Sequence, residues 1–480
     1  MKKPFYLTTT LPYVNAELHM GHALEFVRAD AIARFHRDVL GEDVFFNSGT
    51  DEHGSKIFKK AEELGMTAQE FVDMNVEKFH ESLGLFGLVD GMHFIRTSDT
   101  HHVSAAQEFW KRVDSNGYIY KKNYQTKYCI GCESEKTDSE LVDGKCPDHG
   151  VAPEIIDEEN YFFKYSAFTD KLLEFYKNNP TFIIPDFRFN EIKAFVERGL
   201  EDFSISRLKT KMPWGIPVPG DDEHVMYVWF DALTNYVSTL GWPEDTETFE
   251  KYWKNGTPTQ YCGKDNTRFQ GAMWQAMLMA ANLPNSHQIV VNGFVMGDGG
   301  VKMSKTLGNV VDPKDIAREF GIDALRFFLL KEISSFEDSP FSRDRFVESY
   351  NAHLANGIGN LTSRIMTMLV NYEVEYSLSD TSRWFETDYR DMNMNAFDIP
   401  KAMRYIFDCA DAIDMQIQAL EPYKKIKIDK EGAEVDLRRF AQGLYDVACM
   451  LSPMLPSTSK SIIMLLKEKK KPVEPLFLRK

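Results

Sequence analysis

The spacing of apolar positions changes twice within the first fifty residues. Phe5–Thr10 is a β-type run that Pro12 stops. From Met20 to Leu40 the apolar residues Ala23, Phe26, Val27, Ala31, Ile32, Phe35 and Val39 fall at the three-to-four spacing of one helix face. Val44, Phe45 and Phe46 then predict a second strand over Asp43–Asn47. Strand, helix and strand at this spacing predict a βαβ opening and a parallel sheet. Amphipathic helices are predicted over Lys56–Leu64, Ala68–Leu83 and Ser104–Asn116.

Between Gly117 and Met226 the pattern breaks into short strand-like runs, at Tyr118–Tyr120 and Gln125–Tyr128, and into segments bounded by Pro and Gly. This stretch reads as an insertion. The α/β pattern resumes with strands predicted at Tyr227–Phe230, Gln260–Cys262 and Gln288–Val291 and a helix over Gly271–Ala281. After Gly321 the period is helical throughout, over Asp344–Val370, Pro400–Leu420 and Asp436–Met454, with Pro422, Pro453 and Pro456 as punctuation. Ser377–Ser382 reads as a surface loop. The expected organisation is a parallel-sheet α/β domain in two halves, 1–116 and 227–325, split by the insertion 117–226 and followed by an all-α region, 326–480.

Composition narrows the class. With 480 residues, 43% hydrophobic and 27% charged, the chain is neither disordered nor collagen-like. No apolar run approaches the ~18 residues of a membrane span. The N-terminus has Lys2 and Lys3 but no apolar segment behind them, so no secretory signal is read and a cytoplasmic location is expected. A net charge of −16 argues against a non-specific nucleic-acid binder. It leaves room for a local basic face, and Pro456–Lys480 is net +5, which alone reads as a solvated helix end. Of six cysteines, Cys262, Cys409 and Cys449 are isolated, whereas Cys129, Cys132 and Cys146 cluster. No disulfide framework is suggested.

Three constellations carry chemistry. The first is His19-Met20-Gly21-His22, which opens the first predicted helix. A helix N-terminus offers free N–H groups and partial positive charge to phosphate. Gly21 lets a ligand approach the backbone, and two histidines three apart share a face. The second is Lys302-Met303-Ser304-Lys305-Thr306, flanked by Gly299, Gly300 and Gly308. Two ammonium groups there suit a polyphosphate and the charge that grows as pyrophosphate leaves. Each alone could be an ordinary surface feature. Together they would meet at the ligand-binding edge of a doubly wound sheet, and the chain resembles a class I aminoacyl-tRNA synthetase, whose two signatures these are.

The third constellation is Cys129-Ile130-Gly131-Cys132 with Cys146-Pro147-Asp148-His149, 13 residues apart. Three thiolates and an imidazole predict one closed, tetrahedral, structural zinc site with no open position for water. The chain then resembles the bacterial methionyl-tRNA synthetases of the single-knuckle, zinc-containing kind, over essentially its full length. The further landmarks are Leu11-Pro12-Tyr13-Val14-Asn15, Gly49-Thr50-Asp51-Glu52-His53-Gly54, Pro213–Pro217, Tyr227–Ala232 and Gly263-Lys264-Asp265.

The resemblance implies a reaction in which methionine and ATP, with its Mg2+, give methionyl-adenylate and pyrophosphate, and methionine passes to the 3′ end of tRNA(Met). It implies a Rossmann-like catalytic domain, a zinc-knuckle insertion and a helical anticodon-binding bundle. Asp51 matches the position that pairs with the methionine amino group. Leu11, Tyr13, Trp229, Ala232, Tyr236 and Phe269 match positions lining the thioether pocket. Gly263 and Asp265 match nucleotide-binding positions beside His19, Gly21 and His22, and His19, His22, Lys302 and Lys305 stabilise the displacement at the α-phosphate. Asn360 and Arg364, four apart on one helix face, together with Tyr423, match anticodon-reading positions; in much of the family a tryptophan stands where this chain has Tyr423. Asn266 and Gln270 also depart from the usual isoleucine and histidine, so either the pocket is polar in a new way or Gln270 replaces the histidine as a hydrogen-bonding group. A monomer is expected, because the chain ends soon after the bundle. The rival readings are a synthetase for another aliphatic amino acid, which usually carries a larger insertion, a silent tRNA-binding protein, and a nucleotidyltransferase.

Overall fold

The computed structural model describes residues 2–88, 91–131, 134–301, 303, 311–379 and 394–480. The chain divides into two compact units: Met1–Leu18, Glu42–Ser82 and Val89–Val291 form one, and His19–Gly41, Leu83–Leu88 and Asn292–Lys480 the other.

The first unit is built on a six-stranded sheet. Its first strands are β1 (Phe5–Thr9), β2 (Val44–Thr50) and β3 (Met92–Arg96). The insertion begins with β4 (Ile119–Cys129), β5 (Ser134–Lys136) and β6 (Glu154–Phe163), sends β7 (Ile183–Ile184) back to the main sheet, and continues through β8 (Phe203–Ser204), β9 (Ser206–Leu208), β10 (Pro217–Val218) and β11 (Asp221–Met226). β12 (Thr257–Gly263) and β13 (Gln288–Asn292) complete the main sheet, in the order β3-β2-β1-β12-β13-β7. β1 pairs in parallel with β2 and with β12, β2 with β3, and β13 with β7. Every residue of β1 is buried, as a central strand covered on both faces requires.

Within the insertion, β4 and β6 form a long antiparallel pair, with β5 and β8 on its flanks. β10, β11 and β9 form a second, antiparallel sheet. Two helices, Thr169–Asn178 and Asp186–Glu197, also lie in this stretch. Phe109, Trp110, Phe163, Phe168, Phe230 and Trp274 belong to one large aromatic core of this unit.

One element differs in kind from its sequence reading. Tyr227–Phe230 is not a strand: β11 ends at Met226, and Val228–Ala232 is a short helix. Aromatic and β-branched residues there mimic a buried strand. The run in fact places Phe230 and Leu233 in the core at helical spacing and turns Asp231 towards two buried histidines.

The second unit is helical apart from a short parallel pair, Val295–Met296 with Ser339–Pro340. Met20–Arg34 runs into a wider, π-type turn at Phe35–Val39. Two buried arginines tie its helices together. Arg28 donates to the carbonyls of Leu329, Ile333 and Ser335, at and beyond the end of Ile322–Lys331, satisfying carbonyls that a helix end leaves open. Arg326 pairs with Asp30 at 2.7 Å and donates to the carbonyls of Phe86, Pro453 and Met454. The bundle continues with Arg343–Ser349, a wide-turned stretch over Tyr350–Gly359, then Asn360–Asn371, Ile399–Leu420, Lys430–Leu451 and Pro456–Glu468. Asp323 accepts from the Thr458 backbone N–H and hydroxyl at 2.6 and 2.7 Å, closing the start of the last helix. The C-terminal residues fold back: the Tyr350 hydroxyl donates to the Leu478 carbonyl, and the Phe477 ring lies edge-on to Tyr350. Ser377–Ser379 lie outside helix and strand, and the rest of the predicted surface loop is outside the described residues. Among the described residues, no helix is long and apolar enough to cross a membrane.

Candidate functional site

In the first unit the site grows from the ends of adjacent parallel strands, where ligands of such sheets bind. The loop after β1 and the loop after β2 are stitched together: Asp51 N–H donates to the Pro12 carbonyl at 3.0 Å and Val14 N–H to the Asp51 carbonyl at 3.1 Å. The Tyr13 hydroxyl adds a 2.6 Å bond to the His53 carbonyl. Asp51 is buried, while Leu11 and Tyr13 are half-buried at this edge.

The helix Val228–Ala232 presents Trp229, and a widened helical turn at Phe269–Met273 presents Phe269. Such widened turns often occur at functional sites. The two rings stack 3.8 Å apart within 5° of parallel. The buried Trp229 Nε1 has no hydrogen-bond acceptor among the described residues. Ala232 and Tyr236 follow and are buried. Gly263 ends β12, and Asp265 is exposed in the single helical turn after it. Asn266 turns its amide to the Asp265 carboxylate at 3.2 Å.

Gln270 is part of a buried relay whose polarity can be read from its ends. Ser286 N–H, which can only donate, reaches Gln275 Oε1 at 3.1 Å, so Gln275 Nε2 is the atom facing Ser286 Oγ, also at 3.1 Å. The Ser286 hydroxyl then donates to Gln260 Oε1, Gln260 Nε2 to Gln270 Oε1, and Gln270 Nε2 to the Tyr236 oxygen. Each amide orientation follows from the one before it. Tyr236 is therefore an acceptor towards Gln270, and its own proton points elsewhere. A second buried polar cluster joins Asp231 to His53 and His102.

In the second unit His19 and Gly21–His22 form the start of Met20–Arg34. His19 Nδ1 accepts from the N–H groups of Gly21 and His22 at 3.1 and 3.4 Å, and His22 Nδ1 accepts from His19 N–H at 3.3 Å. This is a reciprocal capping box built from imidazoles. With both Nδ1 atoms accepting, each neutral ring carries its proton on Nε2. Burial, and secondarily the charge of His19, hold the His22 pKa well below its usual value. Gly21 has a reason the sequence does not display: a Cβ there would lie 3.0 Å from the His19 ring. Lys302 and Lys305 lie outside the described residues.

At the far end of the β4–β6 pair, Cys129, Cys146 and His149 bring their ligand atoms within 4.8 Å of one another. The two Sγ atoms stand 3.8 and 3.7 Å from His149 Nδ1, separations that tetrahedral zinc with S and N ligands would produce. Cys132, the fourth predicted ligand, is outside the described residues. At Gly131 a Cβ would fall 2.4 Å from the His149 ring, so any larger residue would push that ring aside.

In the bundle, Asn360 is exposed at the start of its helix, whereas Arg364 is half-buried and paired with Asp414, which also accepts from Gln418. Tyr423 is 40% exposed and donates to Glu421 at 3.2 Å.

Sequence reasoning gave no role to Gln260, Gln275, Ser286 or His102, nor to His53 and Asp231 within the landmark motifs that contain them. The available signal was polarity inside apolar runs, as in Trp274-Gln275-Ala276-Met277 and Trp229-Phe230-Asp231-Ala232.

Comparison with known proteins agrees with this chemistry. The family model described as "tRNA synthetases class I (M)" matches residues 5–153 and 139–366. The chain is similar to the methionine–tRNA ligase of Caldanaerobacter subterraneus subsp. tengcongensis, 39% identical over 96% of this chain and 74% of that protein. It is also similar to that of Brucella suis, 37% identical over 96% and 91%. Among solved structures, Mycobacterium tuberculosis methionyl-tRNA synthetase in complex with methionyl-adenylate superposes with a TM-score of 0.89 at 34% identity, covering 96% of this chain and 94% of that one.

Proposed function

The chain belongs to the methionyl-tRNA synthetases of class I, and we propose how its residues divide the reaction of that family. The enzyme joins methionine and ATP into methionyl-adenylate and transfers the methionyl group to the 3′ end of tRNA(Met), for initiation and elongation of translation.

Asp51 receives the ammonium group of methionine. Leu11, Tyr13, Trp229, Ala232, Tyr236 and Phe269 surround its side chain, where aromatic faces favour sulfur by about 0.3–1.5 kcal/mol per contact. Gly263 and Asp265 serve the nucleoside, and His19, Gly21, His22 and Lys305 the phosphates. The methionine carboxylate attacks the α-phosphorus; the new O–P bond forms as the bond to pyrophosphate breaks. No protein nucleophile is needed, so His19, His22, Lys302 and Lys305 act by orienting the phosphates and stabilising the charge that grows on them. Mg2+ arrives with ATP.

One zinc per chain, held by Cys129, Cys132, Cys146 and His149, would be structural: a full set of protein ligands leaves no position for substrate. Asn360, Arg364 and Tyr423 read the anticodon, the tyrosine by stacking on an unstacked base. The working division is a catalytic domain of 1–116 and 227–325, a knuckle insertion of 117–226 and, over 326–480, a stem-contact region with a helical anticodon-binding domain, in a cytoplasmic monomer.

The observation that carries the pocket is the pairing of a buried Asp51 at the sheet edge with the stacked Trp229 and Phe269 in the same unit. ATP–pyrophosphate exchange with each of the twenty amino acids tests it. Methionine alone is expected to support exchange, and equal exchange with leucine or isoleucine would sink the reading.

A further inference from the structure

A buried ionisable cluster outside the roles above lies in the first unit. Asp231 is inaccessible to solvent, and its carboxylate is divided between two imidazoles. Oδ2 lies 2.9 Å from His53 Nδ1 and Oδ1 lies 3.3 Å from His102 Nε2. His102 Nδ1 in turn lies 2.8 Å from the Ser238 hydroxyl. His53 Nδ1–H and His102 Nε2–H donate to the two carboxylate oxygens, and the other nitrogen of His102 is hydrogen-bonded to the Ser238 hydroxyl. Burial alone would raise the Asp231 carboxyl pKa, but the two histidines outweigh it and hold the group below its usual range.

The three side chains come from three segments. His53 is two residues beyond Asp51, and its carbonyl holds the Tyr13 hydroxyl. Asp231 sits between Trp229 and Ala232. His102 belongs to the helix Thr100–Ser115, which packs against Val228–Ala232. The neighbouring Trp214 ring lies 5.3 Å from His53, and its indole N–H donates to the Glu52 carbonyl at 2.5 Å. A buried carboxylate is a weak source of stability, since apolar side chains of the same volume often do as well. It is a strong source of registry, because directed N–H···O bonds fix separations that apolar packing leaves free to slip.

We propose that Asp231 is a positioning residue: through His53 and His102 it holds the Asp51 loop and the Trp229 helix at the separation that one methionine spans. The ammonium is held at one end of that span and the side chain at the other, so a slip of either segment weakens methionine without touching ATP. This rests on the reading of Asp51 and Trp229 as methionine contacts.

Asp231→Asn in the full chain tests it. The amide keeps the volume but replaces one acceptor by a donor, so one imidazole bond is lost. In ATP–pyrophosphate exchange, the methionine KM is expected to rise about tenfold while kcat changes by less than about threefold and the ATP KM is unchanged. Equilibrium dialysis with methionine alone should show the same weakening. His102→Leu should repeat the effect, and His102→Gln, which can still donate to Asp231, should restore most of it. An unchanged methionine KM overturns the proposal. So does a joint decline of kcat, both KM values and the thermal midpoint, which would mark a merely structural role. If Asp231→Asn does not fold, the His102 pair decides, since equal methionine KM values in His102→Leu and His102→Gln remove the idea. Failure of the wild-type enzyme to exchange with methionine would instead remove the pocket reading, so the two are separable.

Discussion

The imidazoles of His19 and His22 stack 3.8 Å apart, 15° from parallel, while each ring accepts from the other residue's backbone N–H. The helix start and the chemistry at its tip are thus one object: the bonds that cap the helix also fix the tautomers. Removing the His22 ring should then cost more than a cap. His22→Ala is expected to lower kcat of pyrophosphate exchange about 10²–10³-fold, the usual loss for one preorganised donor. His22→Asn, which can cap and donate, should lose less. Single-turnover rates of adenylate formation distinguish the two.

The same ring makes a stability prediction. Its pKa is lowered on folding, by burial first and by His19 second. The unfolded chain therefore binds the proton more readily, and the stability contributed is complete above the ordinary histidine value of 6.5. It is lost as pH falls through the lower folded value. Urea midpoints measured from pH 7.5 to pH 5 should fall less steeply for His22→Gln than for the wild type; identical slopes would argue against a ring held neutral by the fold.

At the knuckle, Gly131→Ala should expel the metal, because the new methyl would collide with the His149 ring at 2.4 Å. Gly84→Ala, where a Cβ meets nothing within 4 Å, is the control and should keep one zinc per chain. Chelation of the wild-type enzyme, or Cys146→Ala, should impair aminoacylation while most of the far-ultraviolet helical signal survives. Metal analysis, circular dichroism and aminoacylation rates check these outcomes together, and wild-type protein free of zinc would remove the assignment.

The glutamine relay predicts an effect at a distance. Gln260→Leu leaves Gln270 Oε1 and the Ser286 hydroxyl without their buried partner. A cost of about 1–3 kcal/mol in stability is expected, with a rise in methionine KM as the Tyr236 hydroxyl loses its fixed orientation. Chemical denaturation and exchange kinetics at saturating ATP measure the two effects separately.

Substitutions at the tRNA and pyrophosphate ends should divide cleanly. Asn360→Ala is expected to raise the KM for tRNA in aminoacylation and leave pyrophosphate exchange untouched. Lys305→Ala should slow adenylate formation with little change in methionine affinity, because its charge matters most as pyrophosphate departs. An equal loss of methionine affinity would count against that role.

How much of this was legible in the chain depends on the range of the interactions. The βαβ opening was, since Phe5–Thr9, Met20–Arg34 and Val44–Thr50 each carry their own period. The proximity of Cys129, Cys146 and His149 was legible from spacing alone. Met92–Arg96 was not: its half-buried, polar-mixed residues read as a strand only once β2 lies beside them. Tyr227–Phe230 misled because its helix is dictated by long-range contacts of Phe230 and Asp231, against strand-forming local preferences. The relay through Gln260, Gln270 and Gln275 depends on residues of three separate elements, so its members look like unremarkable polar interruptions until the fold assembles them.

The central place of the first strand has a consequence for how the protein is made. β1 lies between β2 and β12, so one of its hydrogen-bonding edges is satisfied only by residues 257–263. Chains lengthen at about 5–20 residues per second, so on the ribosome that edge waits on the order of 10–50 s for its neighbour. During that interval a strand that ends up wholly buried has an open side, the condition under which strands find wrong partners. The nascent enzyme should accordingly lean on chaperones until roughly its first 300 residues, including those held in the exit tunnel, have been synthesised.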